Sequence, residues 1–204
     1  RDFLLSFAVS FAVCSLQFAI PALLTAALPR VATSQAAPYR NPALPIAARV
    51  NDLVGRMTLE EKFWQLFMSP GSLDTPAHDC SNGSFGLQIS VPAGPGAARA
   101  HAGRINAIQK YFVERTRLGI PILPFEEALH GLTREGATVF PQAIGLAATF
   151  DTALMGRVAT AVARETRSRG IRDVLSPVIN IASDVRWGRV EETYGEDPDL
   201  TSQM

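Results

Sequence analysis

"LGIPILPFEEALHGL", residues 118–132, decides how the rest of the chain is read. Its first half, Ile120 to Phe125, is a short apolar run that reads as a buried strand of a parallel sheet. Its second half turns abruptly polar, with Glu126, Glu127 and His130. The same grammar recurs downstream, where "VLSPVINIA", residues 174–182, empties into "SDVRWGR", residues 183–189. Between the two, Asp151 or Thr152 caps a long helix that turns Leu154, Val158, Val162 and Ala163 inward and stops at Gly170. Strand, helix, strand, with polar clusters just past the strand ends, is the pattern of an α/β fold. An eight-fold β/α barrel and a doubly wound open sheet both fit it, and both place the ligand site at those strand ends.

Toward the N-terminus, residues 98–116 form a helix with Ile105, Ile108, Phe112 and Val113 on one face, and "FGLQISV", residues 85–91, is a second apolar strand candidate. Residues 69–84 read as a loop rich in Gly, Pro, Ser and Asp. Ahead of it, Thr58 and Glu61 make a capping box for the helix "TLEEKFWQLF". "IAARVNDLVGRM" sets Val50, Leu53, Val54 and Met57 at helical spacing, and "APYRNPALP", residues 37–45, is a proline-rich linker. "ATVFPQAIGLAATFD", residues 137–151, reads as a short extended piece and a loop.

The 204 residues balance to a net charge of +0, which leaves nucleic acid and anionic membranes without an electrostatic footprint to bind. Phe3 to Pro29 carries no charge, and its length suits a membrane span or a secretory signal. Pro21 and the small-residue step from Ser34 to Ala36 favour a signal cleaved after Ala36, so residues 1–36 are expected to be a leader and the domain to be exported. A retained leader would make it a membrane anchor instead. Of the two cysteines, Cys14 falls in the leader and Cys80 stands alone, so no disulfide framework is expected. The chain opens on Arg1 and ends on Met204 after a polar run, and it reads as a fragment.

The remaining candidates for chemistry sort quickly. "GPGAAR" at Gly94 lacks the last glycine of a dinucleotide fingerprint, and neither a Gly-x-Ser-x-Gly elbow nor a P-loop occurs. His130 and Glu135 do not have zinc-helix spacing, and adjacent His78, Asp79 and Cys80 are poor metal geometry. His130 alone reads as a core histidine bonded to backbone. "DVRWGRVEETYGEDPD", residues 184–199, does not match the calcium loop, and Glu196, Asp197 and Asp199 read as a solvated acidic run. Within it, Arg186 and Arg189 offer the rigid paired donors that suit a diol or a carboxylate. Trp187 offers an apolar floor for a sugar face, and Glu192, three residues on, is placed to hold Arg189. Of Glu126 and Glu127, a carboxylate leaving a buried strand can accept hydrogen bonds from two vicinal hydroxyls, or one of the pair is simply solvated. No metal or cofactor is expected.

Taken in order, "MTLEEK", "TRLGIPILPFEEALHGL", "FPQAIGLAATFD", "VARETRSRGI" and "LSPVINIASDVRWGRVEETYGEDPDL" resemble the N-terminal domain of glycoside hydrolase family 3. These are exported β-glucosidases, β-xylosidases and relatives. The resemblance spans about Ile46 to Met204 and implies that residues 46–204 are part of a (β/α)8 barrel of the TIM type, incomplete in this chain. It implies a retaining exo-β-glycosidase with no cofactor. Glu127 matches an acidic residue that binds hydroxyls of the non-reducing-end sugar, and Arg189 matches an arginine that binds the same sugar. His130, Trp187 and Glu192 would support them. The family's nucleophile and acid/base lie in segments that the chain does not contain, so no catalytic residue is expected here and the chain alone should be inactive. Val185 stands where many members carry proline, and Glu127 is one methylene longer than aspartate, which keeps xylose open beside glucose. A non-catalytic carbohydrate-binding remnant is the alternative. Secretion or a periplasmic location is implied.

Overall fold

The computed structural model describes residues 37–71, 73 and 79–204; the expected leader and His78 lie outside them. The sheet has four strands: β1 (Met68–Pro70), β2 (Gly86–Gln88), β3 (Leu123–Glu126) and β4 (Asp173–Val174). All neighbours are parallel, and the spatial order is the chain order, β1-β2-β3-β4. A doubly wound sheet reverses its order at a switch point, and this run of strands does not. Consecutive parallel neighbours are the arrangement of a β/α barrel.

The helices are α1 (Ile46–Arg56), α2 (Leu59–Trp64), α3 (Ala97–Arg115), α4 (Ala143–Ala147), α5 (Thr152–Ser168) and α6 (Pro198–Gln203). Helix α3 crosses from β2 to β3, and α4 and α5 cross from β3 to β4. The spacing of four, three and four along α3 brings His101, Ile105, Ile108 and Phe112 to its buried face. Phe112 is fully enclosed, in a core made with Leu87, Ile89, Ile122, Leu132 and Ile171. At the start of α5, Asp151 accepts the Leu154 N–H at 2.8 Å, so Asp151 is the cap.

Several expectations need correction. The strand expected at residues 120–125 pairs only from Leu123, because the Gln109 side chain takes both backbone groups of Ile122: its Nε2 donates to Ile122 O at 2.6 Å and its Oε1 accepts from Ile122 N at 3.0 Å. Of residues 174–182 only Val174 is in the sheet; Pro177 has no N–H to continue a ladder. Residues 68–70 form β1, where residues 69 and 70 are expected to start a loop; three residues are too short to show alternation. Helix α4 was expected as loop. Val113 on α3 and Ala163 on α5 are exposed rather than inward; the helix expected around Val50 and Val54 forms as α1, with both side chains exposed.

Residues 37–45 are not a loose linker. Pro38–Arg40 make a 3-10 turn, and Tyr39 is tied on both sides. Its hydroxyl donates to Leu118 O at 2.6 Å, its N–H donates to Asp52 at 3.1 Å, and its carbonyl accepts from Arg49 at 2.9 Å. The Thr58 capping box forms as expected, with Thr58 N donating to Glu61 at 2.8 Å and Glu61 N donating to Thr58 at 3.1 Å. The same Glu61 carboxylate takes a two-pronged ion pair from Arg117, which joins α2 to the approach of β3.

Candidate functional site

The C-terminal end of β3 delivers two consecutive carboxylates to different surroundings, as alternation along a strand requires. Glu126 is buried. Its Oε1 accepts from Arg134 at 2.5 and 3.1 Å, and its Oε2 accepts from the Gln88 amide at 2.9 Å. Glu127 is exposed and stands outside that network. The chain then reverses through Ala128, which is buried with a left-handed φ of 54°. Gly131, at φ 112°, passes so close to Thr138 that no side chain fits. His130 sits inside this loop with Nδ1 at 3.0 Å from Phe140 O, while Phe140 N donates to His130 O at 2.7 Å. That is the backbone-bonded histidine its sequence suggests.

The second cluster follows β4. Arg189 precedes a 3-10 turn, Val190–Glu192, and forks onto Glu192 with contacts of 2.5, 3.0 and 3.1 Å. Those hydrogen bonds, and then the Glu192 charge, push the Arg189 pKa above its ordinary value. Glu127 and Glu191 add weaker contributions of the same sign. The field of Glu127 therefore reaches Arg189, although they are far apart in sequence. The Arg189 pair in turn holds the Glu192 carboxyl below its usual range. The turn is anchored by Thr193, fully buried, whose hydroxyl donates to Val190 O at 2.8 Å and accepts from Gly195 N at 3.2 Å.

Arg186 is engaged locally, with its side chain and its own N–H all directed to Asp184 at 2.6–3.0 Å. Trp187 is bonded through its backbone to Asp184 O and keeps a partly exposed ring. Val185 is 88% exposed, so the residue standing in place of proline packs against nothing. The acidic run is not simply solvated: Asp197 caps α6, accepting from the N–H groups of Asp199 and Leu200.

A cavity of about 330 Å³ lies between α5, Val174, Pro177, Ala128–His130, Tyr194 and Met204. Neither Glu127 nor Arg189 lines it. Its wall is mostly aliphatic, interrupted by Thr152, Thr166, Ser176 and Tyr194, and one ring nitrogen of its histidine is on a backbone carbonyl. The carboxylates and guanidinium groups described above lie at the C-terminal ends of the strands, outside this cavity.

Gln88, His101 and Arg134 were not singled out from sequence. His101 had a signal: it is four residues before Ile105, on the same apolar face of α3. Gln88 and Arg134 had none, since their common partner Glu126 is distant from the first and across a turn from the second.

Known proteins resemble this chain in sequence and in fold. The model of the "Glycosyl hydrolase family 3 N terminal domain" matches residues 58–204. A putative β-xylosidase of Formosa agariphila is 34% identical over 184 residues, covering 84% of this chain and 24% of the relative. β-Glucosidase C of Emericella nidulans is 35% identical over 185 residues, covering 81% of this chain and 29% of the relative. Among solved structures, a β-glucosidase of Erythrobacter marinus superposes with a TM-score of 0.69 at 38% identity, covering 82% of this chain and 23% of that one. The chain thus spans about a quarter of the length of the proteins it matches. It belongs to glycosyl hydrolase family 3, and residues 58–204 carry that family's N-terminal domain, a parallel α/β fold of the TIM-barrel type.

Proposed function

We propose that this chain supplies part of the glycone pocket of an exported, retaining exo-β-glycosidase that removes the non-reducing-end sugar from β-linked oligosaccharides or glycosides. Glu127 accepts hydrogen bonds from the sugar hydroxyls, and Arg189 donates to them from the adjacent side. The observation that supports the reading is that Glu127, exposed just past the C-terminal end of β3, lies near enough for its charge to add to the upward push on the Arg189 pKa. Glu192 and the His130 loop hold the two sugar ligands in place, and Trp187 offers a face for the ring.

Retaining hydrolysis needs two carboxyls about 5–5.5 Å apart on opposite sides of the scissile bond. We assign neither to this chain, so the chemistry is completed by segments of the whole enzyme and the chain by itself is inactive. No cofactor enters, because glycosyl transfer to water is served by carboxylates alone. Relatives named for glucosidase and for xylosidase activity are about equally similar, and the longer reach of Glu127 leaves room for either sugar. Export rests on the apolar leader, with the mature chain starting at Ala37, one residue before the turn that docks on the domain.

Arg189→Ala in the complete enzyme is the test. Losing about two charge-assisted hydrogen bonds of 1.5–3 kcal/mol each lowers kcat/KM on aryl glucosides and xylosides roughly a hundredfold or more. Hydrolysis near the wild-type rate would refute the assignment.

A further inference from the structure

We infer that Glu126 is a positioning residue that sets where Glu127 meets the sugar; the inference rests on the reading of Glu127 as a sugar ligand. Glu126 is 3% exposed and is gripped on every polar group it has beyond the strand. Its carboxylate takes Arg134 on one oxygen and Gln88, the last residue of β2, on the other. Its peptide carbonyl accepts the Leu175 N–H at 2.8 Å, from the chain leaving β4. One residue therefore ties together the ends of β2, β3 and β4 and the far limb of the loop that follows Glu127.

The residue after Glu127 is equally constrained. Ala128 is buried with a left-handed backbone, a conformation that non-glycine residues hold only where the surroundings impose it. The Glu127 backbone is thus fixed on both sides, and its side chain is the free part. His101, 1% exposed on α3, stands in the field of Glu126, Arg134 and Arg169. A buried ion pair is a weak source of net stability, because desolvation offsets its attraction. Geometry is the property this one confers. A displacement of about 1 Å at a group that holds substrate can cost on the order of a hundredfold in rate.

A double-variant cycle in the complete enzyme separates positioning from bulk stability. Glu126→Gln keeps the shape and removes the charge that Arg134 grips. It lowers kcat/KM about ten- to a hundredfold when Glu127 is present, and less than about twofold when Glu127 is already alanine. Equal losses in both backgrounds, or no loss in the first, overturn the inference while leaving Glu127 as a sugar ligand. An unchanged kcat/KM for Glu127→Ala alone overturns the sugar-ligand reading itself, and the inference with it. Should Glu126→Gln fail to fold, Gln88→Met removes one amide donor and leaves the ion pair. The same cycle then shows about a three- to tenfold loss that again vanishes without Glu127.

Discussion

Gly131 is the position at which one methyl group should do most damage. Its φ is 112°, and a Cβ built there lies 2.2 Å from Thr138 O and 3.3 Å from Val139 Cα. The oxygen is roughly 1 Å or more inside ordinary contact. It cannot retreat, since Thr138 is itself fixed to Glu165 by bonds of 2.8 and 2.7 Å, and Phe140 is bonded to His130 in both directions. Gly131→Ala therefore incurs backbone strain of about 1–3 kcal/mol and overpacking of about 1–3 kcal/mol. For a chain of this size each kcal/mol lowers Tm by about 2–4 °C, so the expected fall is about 5–20 °C by circular dichroism. The control is Gly156→Ala in α5, where the new Cβ meets nothing within 4 Å. There alanine should raise Tm by about 1–4 °C, from the 0.5–1 kcal/mol that glycine costs in a helix. If both variants melt within about 2 °C of wild type, the close approach at Gly131 does not exist in solution and the loop geometry around Glu127 must be redrawn.

Glu61→Gln should lose about 1–3 kcal/mol in urea unfolding at pH 7, because it weakens both the capping box and the Arg117 pair. The Arg117 hydrogen bonds hold the Glu61 carboxyl below its ordinary value of 4.5, so its stabilisation is present above that pH and is lost as pH falls further; the variant and wild type should converge once pH drops below the lowered value of the folded state. Burial holds His101 below its ordinary 6.5, opposed by the Glu126 charge and aided by Arg134 and Arg169. Its sign is the same: stability is complete above about pH 6.5 and falls as the unfolded chain gains a proton that the folded one resists. His101→Leu should flatten the stability profile between pH 7 and 5, and an unchanged slope would assign that acid sensitivity to other groups.

The two long crossover helices were legible because each repeats its apolar spacing over many residues, and because Asp151 and the Thr58–Glu61 box mark the starts of α5 and α2 with chemistry that backbone amides require. The strands were legible as places but not as ranges. With two to four paired residues each, their ends are set by tertiary bonds such as those of Gln109 to Ile122, which no local window contains. The docking of residues 37–45 was hidden for the same reason, since Tyr39 finds its partner at Leu118. Glu127 and Arg189 could be named from the motifs that carry the resemblance. What the motifs could not reveal is how the neighbouring residue, Glu126, is held.

The acids of this domain are distinguished less by type than by what already grips them. Glu61 is taken by Arg117, Glu126 by Arg134, Asp184 by Arg186, and Glu192 by Arg189; Asp197 is spent on the amides of α6. A carboxylate whose lone pairs are filled by a guanidinium has little left for a sugar hydroxyl. Glu127 is exposed, on a backbone pinned before and after it, and its charge reaches Arg189. That arginine has one edge turned to Glu192, which fixes its plane without neutralising its remaining donors. A free acceptor and an oriented donor at the C-terminal end of the sheet are what a diol needs. On the proposed reading, the dense acidic segment 184–199 serves the pocket through the placement of Arg189, while the acid that meets the sugar is Glu127, just past β3.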